Sequence, residues 1–222
     1  KKPQEYLLLV EGSVPTGENG FYCTLGSRNG EEVTMKDLTA DLAGSSTAVI
    51  AVGSCASYGG IPAGQPNPTE ARSVSEFLRQ QGINKPVINV PGCPPHPEWM
   101  TGTIASILLN GLPSPDELDD KLRPQAFYGK LIHDNCPRRG FFDAGQFARS
   151  TSEEGCLYEI GCKGPLTYAD CPLRLWNNGV SWCVGAGAQC IGCVEPDFVD
   201  RMAPMFTKLD EEALERFKII TR

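Results

Sequence analysis

Between His133 and Cys193 the chain reads His133-x-x-Cys136, Cys156, Cys162, Cys171, Cys183 and Cys190-x-x-Cys193. Seven of its ten cysteines and one of its two histidines fall there. Thiols at this density bind metal or pair as disulfides rather than build an ordinary core. Glycine or proline flanks several of them, as in Gly92-Cys93-Pro94, Cys136-Pro137, Cys171-Pro172 and Gly192-Cys193. A backbone that curls closely round a ligand needs such residues, whereas a disulfide does not. The stretch is therefore expected to fold around what it binds.

The rest of the chain narrows the class. Its 222 residues suffice for one large domain or two small ones. Twenty-seven acidic against 20 basic side chains leave a formal charge of -7, which speaks against nucleic acid as a partner. No apolar run is long enough to read as a membrane span, and Lys1-Lys2-Pro3 leads straight into a strand-like segment with no signal peptide.

The first half alternates strand and helix. Glu5 to Val10, Thr47 to Val52 and Val87 to Val90 are apolar runs of strand length. Val33 to Leu42 (with Gly44 as its stop), Ser73 to Gln81 and Glu98 to Asn110 read as helices. Strands of this kind imply a parallel sheet covered on both faces. Right-handed crossovers then bring Cys55, after the second strand, and Cys93, after the third, to the sheet edge where open α/β folds bind ligands. Two thiolates do not close a site that needs four, so a preceding segment with further cysteines is expected. Cys23, in Phe21-Tyr22-Cys23, reads as a small buried hydrophobe, with ligation the alternative.

A Pro- and Asp-containing connector, 113–124, separates a first domain, 1–112, from a second, 125–222. In the second, helical signals are short, as at 145–150. By order along the chain the eight ligand-type residues divide into two sets. His133, Cys136, Cys156 and Cys162 offer three thiolates and an imidazole, and Cys171, Cys183, Cys190 and Cys193 offer four thiolates. Zinc and iron–sulfur clusters both accept these groups. Disulfides leave His133 without a role. A series of redox centres accounts for both sets and for the Cys55–Cys93 pair together.

The motifs Glu11-Gly12-Ser13-Val14-Pro15, Gly53-Ser54-Cys55-Ala56-Ser57-Tyr58-Gly59-Gly60, Gly92-Cys93-Pro94-Pro95-His96-Pro97, His133-Asp134-Asn135-Cys136-Pro137, Gly161-Cys162-Lys163-Gly164-Pro165 and Cys190-Ile191-Gly192-Cys193-Val194-Glu195-Pro196 resemble those of the small subunit of nickel–iron hydrogenases, in order and over nearly the whole chain. The resemblance implies a flavodoxin-like α/β domain followed by an irregular, loop-rich cluster domain. It implies that Cys55 and Cys93 supply part of a proximal 4Fe-4S site, with Glu11 nearby. His133, Cys136, Cys156 and Cys162 would hold a distal 4Fe-4S cluster, and Cys171, Cys190 and Cys193 a medial one.

Two departures from the family pattern matter. The N-terminal Cys-x-x-Cys is absent, so either a missing segment or a separate chain would complete the proximal site. Cys183 stands where many members have proline and a 3Fe-4S medial cluster, which, with Trp176-Asn177-Asn178-Gly179, is similar to the nickel–iron–selenium branch. A medial 4Fe-4S cluster of lower potential follows.

The implied function is electron transfer, in either direction of hydrogen turnover. One end is a nickel–iron centre in a separate large subunit, and the other is a cytochrome or similar carrier. A periplasmic location follows from the family alone. An iron–sulfur electron-transfer or assembly protein without a hydrogenase partner is the second reading. His96, hemmed by prolines, reads as structural.

Overall fold

The structure is a computed structural model that describes residues 6–196 and 198–216. The chain divides into two compact units, Lys1–Pro124 and Gln125–Arg222.

In the first unit, the strands are β1 (Leu7–Glu11), β2 (Val14–Pro15), β3 (Thr24–Arg28), β4 (Glu31–Thr34), β5 (Ala48–Val52), β6 (Ala71–Arg72) and β7 (Val87–Val90). The helices are α1 (Met35–Ser45), α2 (Gly53–Tyr58), α3 (Gly60–Ala63), α4 (Val74–Gln80) and α5 (Pro97–Asn110). Strands β1, β5 and β7 form a parallel sheet in that order, as buried strands alternating with helices require.

Every residue of β5 is buried. Val49 and Ala51 join Ala43 of α1 and Val74, Phe77 and Leu78 of α4 in one apolar cluster. Ile50 and Ile88 occupy alternate positions and are buried as well, so the sheet is covered on both faces. Burial of a side chain such as Phe77 contributes about 1.5–3 kcal/mol.

Local chemistry sets the helix ends. The Thr34 hydroxyl accepts the Asp37 amide at 3.1 Å at the start of α1, and Ser73 accepts Glu76 at 3.2 Å at the start of α4. His96 Nδ1 accepts the Glu98 amide at 3.1 Å and caps α5, which gives this histidine the structural role expected of it. The expected helix at 33–42 begins two residues later, because Val33 and Thr34 pair in β4. It also runs through Gly44 to Ser45 rather than stopping there.

The β3–β4 hairpin lay outside the sequence expectation. All five residues of β3 are exposed, so no apolar alternation marks it. Its turn is Asn29-Gly30, with φ of 56° and 84°, the left-handed pair that a tight hairpin demands.

The stretch 113–124 is stitched to β7. Leu122 and Lys121 carbonyls accept the Asn89 backbone and side-chain amides at 2.8 and 2.9 Å. Arg123, 1% exposed, bonds Asp119 through Nε at 2.7 Å. The segment read as a connector is thus part of the first compact unit.

The second unit has little regular structure. Its helical pieces, such as Arg139–Asp143, Cys171–Arg174 and Glu211–Arg216, are short, and 3-10 turns span Ile132–Asn135, Leu157–Ile160 and Gly164–Leu166. No helix forms at 145–150; there Gln146 and Ala148 instead hydrogen-bond Cys156 through its amide and carbonyl. One apolar cluster is small: Leu166, Met202, Leu209 and Ala213. Among the described residues no helix is long and apolar enough to cross a membrane.

Candidate metal centres

The sheet delivers the first pair of thiols. Glu11 lies beside Val52 and Val52 beside Val90, so the three strands end level and release their loops at one edge. The Ser54 amide donates to the Gly92 carbonyl at 2.9 Å, and the Gly92 amide donates to Ser54 Oγ at 3.0 Å. These bonds clamp the loop carrying Cys55 to the loop carrying Cys93.

A side chain at Gly60 (φ 55°) would put its Cβ 2.8 Å from Cys55 Sγ, so only glycine leaves the sulfur its space. Burial raises the Cys55 thiol pKa, neighbouring Cys93 raises it further, the Ile61 amide opposes them, and Glu11 adds a small upward push. Cys55, Cys93 and Glu11 are therefore electrostatic neighbours, as the sheet topology predicts. Cys23 is half-buried in the turn before β3.

In the second unit, His133, Cys136, Cys156 and Cys162 line one enclosed cavity, with Ile132, Leu157 and Tyr158 among its apolar walls. The sequence-predicted set is thus brought together. Arg138 fixes the approach to Cys156 by donating to the Gly155 carbonyl at 2.6 Å and the Glu153 carbonyl at 3.2 Å.

His133 is 8% exposed, and its Nε2 is buried without a hydrogen-bond partner, while Phe142 stands edge-on to the imidazole at 4.5 Å. Burial and then Arg139 hold its pKa below the usual range, which favours the neutral imidazole that ligates metal. Burial raises the Cys136, Cys156 and Cys162 thiols, each opposed by a backbone amide aimed at the sulfur: Arg138, Tyr158 and Gly164 respectively. An orphaned imidazole nitrogen beside three mutually repelling thiols suits a metal cluster, whose positive iron would relieve both.

The last set is unevenly buried. Burial and the nearby Cys193 push Cys171 up to about 12, with Cys183 a further contributor and the Trp176 side chain opposing. Cys190 is raised well above the ordinary thiol range by burial, then by Cys162 and Cys193. Cys183 is exposed. Gly192 (φ 75°) permits the tight Cys190–Cys193 turn, since a Cβ there would collide with Met202 Sδ.

The electrostatic contact between Cys162 and Cys190 shows that the two sets adjoin, which their order in sequence did not reveal. Two buried charged groups were also missed, Lys163 (2% exposed) and Glu195 (4%), the latter accepting the Tyr168 amide at 2.8 Å. The glycine beside Lys163 hints at a tight turn, but nothing in sequence marks its ammonium as buried. All ten cysteines are free. Among the described residues, no three His, Cys, Asp or Glu groups close on a single-ion site.

A parallel α/β unit with thiols at its strand ends, followed by a loop-rich unit organised round buried thiols and an imidazole, is a scaffold of the redox-cluster class. Comparison with known proteins makes the class specific. Residues 128–206 match the family model for the C-terminal part of the NiFe/NiFeSe hydrogenase small subunit, and residues 1–107 match that of the "NADH ubiquinone oxidoreductase, 20 Kd subunit". The periplasmic [NiFeSe] hydrogenase small subunit of Desulfomicrobium baculatum is 50% identical over 210 residues, covering 90% of this chain and 66% of that one. The F420 non-reducing hydrogenase II small subunit of Methanosarcina mazei is 38% identical over 232 residues, covering 96% and 59%.

Among solved structures, the reduced, active Ni-Fe-Se hydrogenase of D. baculatum superposes with a TM-score of 0.87 at 49% identity, covering 92% of this chain and 76% of that one. The actinobacterial-type NiFe-hydrogenase of Ralstonia eutropha H16 gives 0.83 at 32%, covering 97% and 65%. The chain belongs to the nickel–iron hydrogenase small-subunit family. It spans 59 to 66% of the length of the two curated relatives described.

Proposed function

We propose that this chain is the electron-transfer subunit of a nickel–iron or nickel–iron–selenium hydrogenase. It would carry electrons between a nickel–iron centre in a large-subunit partner and an external acceptor or donor. The observation that carries the reading is the cavity shared by His133, Cys136, Cys156 and Cys162, with its unpartnered imidazole nitrogen, in a chain of this family.

In this reading those four residues hold a distal 4Fe-4S cluster. Cys171, Cys183, Cys190 and Cys193 hold a medial one, and Cys55 and Cys93 supply two ligands of a proximal one near Glu11. Two thiols do not complete such a site, so it takes further ligands besides Cys55 and Cys93. When bound, the clusters supply reversible one-electron storage at each site.

The chain's own residues do the remaining work. Backbone amides aimed at sulfur stabilise the thiolate forms, at Ile61 for Cys55, Gly164 for Cys162 and Gly192 for Cys190. A neutral His133 leaves its set one negative charge lighter than four thiolates would. Leu157, Ile132 and Tyr158 line the same cavity. Several relatives are named periplasmic, which supports that location here. The net charge of -7 favours a basic carrier, such as a cytochrome, as the external partner.

Iron, acid-labile sulfide and nickel in the complex that co-purifies with this chain test the proposal. Two to three cubanes' worth of iron and sulfide, with nickel on a second polypeptide, is the expected result. Zinc without sulfide refutes it, and clusters without a nickel-bearing partner favour a stand-alone electron-transfer protein.

A further inference from the structure

We infer that Lys163 is a fixed buried cation that raises the reduction potentials of both cluster sites in the second unit, the His133 set and the Cys171 set. The inference rests on the cluster assignments proposed above.

Lys163 is among the largest fully buried side chains. Its ammonium donates to the carbonyls of Gly161 at 3.1 Å, Pro204 at 3.5 Å and Thr207. Three acceptors match the three protons of an ammonium, but carbonyl dipoles do not neutralise its charge. Among the described residues no carboxylate pairs with it. A buried charge without a counter-charge is strongly unfavourable, so the compensation has to come from elsewhere in its surroundings.

The anions those surroundings offer are thiolates. Lys163 follows Cys162 directly, and its backbone amide donates to the Cys190 carbonyl at 2.7 Å. Its own carbonyl accepts the Thr167 hydroxyl at 2.7 Å, and that hydroxyl oxygen lies 3.7 Å from Cys190 Sγ. Cys162 and Cys190 are the two groups whose negative charge the ammonium feels, against the burial that disfavours it. One belongs to each ligand set. The cation is therefore an electrostatic neighbour of one thiol from each set, in a buried setting where Coulomb interactions are weakly screened. A cluster that takes up an electron becomes more negative, and a neighbouring cation stabilises that state; both potentials rise. The three carbonyls hold the ammonium in place and tie the 204–207 loop to the cluster region.

The test is a redox titration followed by electron paramagnetic resonance. It uses holoprotein purified from its own host, as wild type, Lys163→Met and Lys163→Arg. Loss of the charge in Lys163→Met is expected to lower the potentials of both second-unit sites and leave the Cys55–Cys93 site unmoved, while Lys163→Arg stays near wild type. Unmoved potentials in an iron-replete Lys163→Met, or an equal drop in Lys163→Arg, overturn the inference.

If Lys163→Met does not assemble its clusters, Lys163→Gln keeps a donor for the carbonyls without the charge and takes its place in the titration. Loss of second-unit iron in both neutral variants but not in Lys163→Arg also supports a role for charge; loss in all three overturns it. Wild-type protein free of iron and sulfide sinks the cluster assignments and this inference together, whereas unmoved potentials in loaded protein sink the role of Lys163 alone.

Discussion

The amide of Ser54 donates to the Gly92 carbonyl at 2.9 Å, and the amide of Gly92 donates back to the Ser54 hydroxyl at 3.0 Å. This reciprocal pair fixes the spacing of the two loops that carry Cys55 and Cys93. Ser54→Ala leaves the Gly92 amide buried and unsatisfied, at a cost of about 1–3 kcal/mol. Chemical denaturation is expected to show that loss. Iron stoichiometry is expected to fall at the Cys55–Cys93 site while the second unit keeps its own. A denaturation midpoint equal to wild type would contradict the clamp.

His133 supplies the imidazole of the first set. His133→Ala removes a ligand and opens the cavity, so about one cubane's worth of iron is expected to be lost. His133→Cys restores a fourth ligand as thiolate and adds a negative charge. That variant is expected to regain the iron with a lower midpoint potential. An unchanged iron content in His133→Ala would remove the imidazole from the ligand set.

In the proposed assignment Cys183 decides the type of the Cys171 set. The proposed 4Fe-4S cluster predicts that the oxidised wild type lacks a strong 3Fe-4S resonance at that site. Cys183→Pro is expected to introduce one and to raise the potential. A strong native 3Fe-4S signal assigned to that site in wild type refutes the assignment.

Metal removal separates the two units. The first has a sizeable apolar cluster around Val49, Ala51 and Phe77, whereas the cluster around Leu166 and Met202 is small. Chelation and reduction are expected to expose residues 125–222 to protease while the sheet of the first unit persists, seen as retained circular dichroism. Equal proteolysis of both units would contradict this.

In whatever part of the metal-free second unit stays folded, the raised thiols give stability a pH dependence. Burial favours the protonated thiol, so its contribution to stability is full below the ordinary value of 9.0. It is lost as pH rises toward about 12 at Cys171. Ligation must also release these protons, so cluster reconstitution is expected to quicken as pH is raised from neutrality toward about 9. Stability of the metal-free chain that increases across about pH 9 to 11 would reverse the sign and refute it.

The sheet was legible because β5 is a continuous apolar run, β7 is apolar but for Asn89, and their helices carry caps at Ser73, His96 and Gly111. The β3–β4 hairpin was not read, although Asn29-Gly30 announced it, because its strands bury almost nothing and so lack the alternation that marks a strand. Gly44 misled for a related reason. A glycine stops a helix only where the backbone must turn left-handed, and here the helix continues to Ser45. In the second unit, motif order delivered the His133 set that lines one cavity. The nearness of Cys162 to Cys190 and the burial of Lys163 escaped, since both arise from loops that meet only in three dimensions.

The contact between Cys162 and Cys190 has a consequence for how charge is stored. Each belongs to a different proposed ligand set, yet a charge on Cys162 pushes the Cys190 thiol up, and the Cys190 backbone amide lowers the Cys162 thiol. If the proposed clusters occupy these two sets, the first electron to arrive makes the second harder to add. The pair would then behave as a graded reservoir, in which even identical ligands would leave the two steps at different energies.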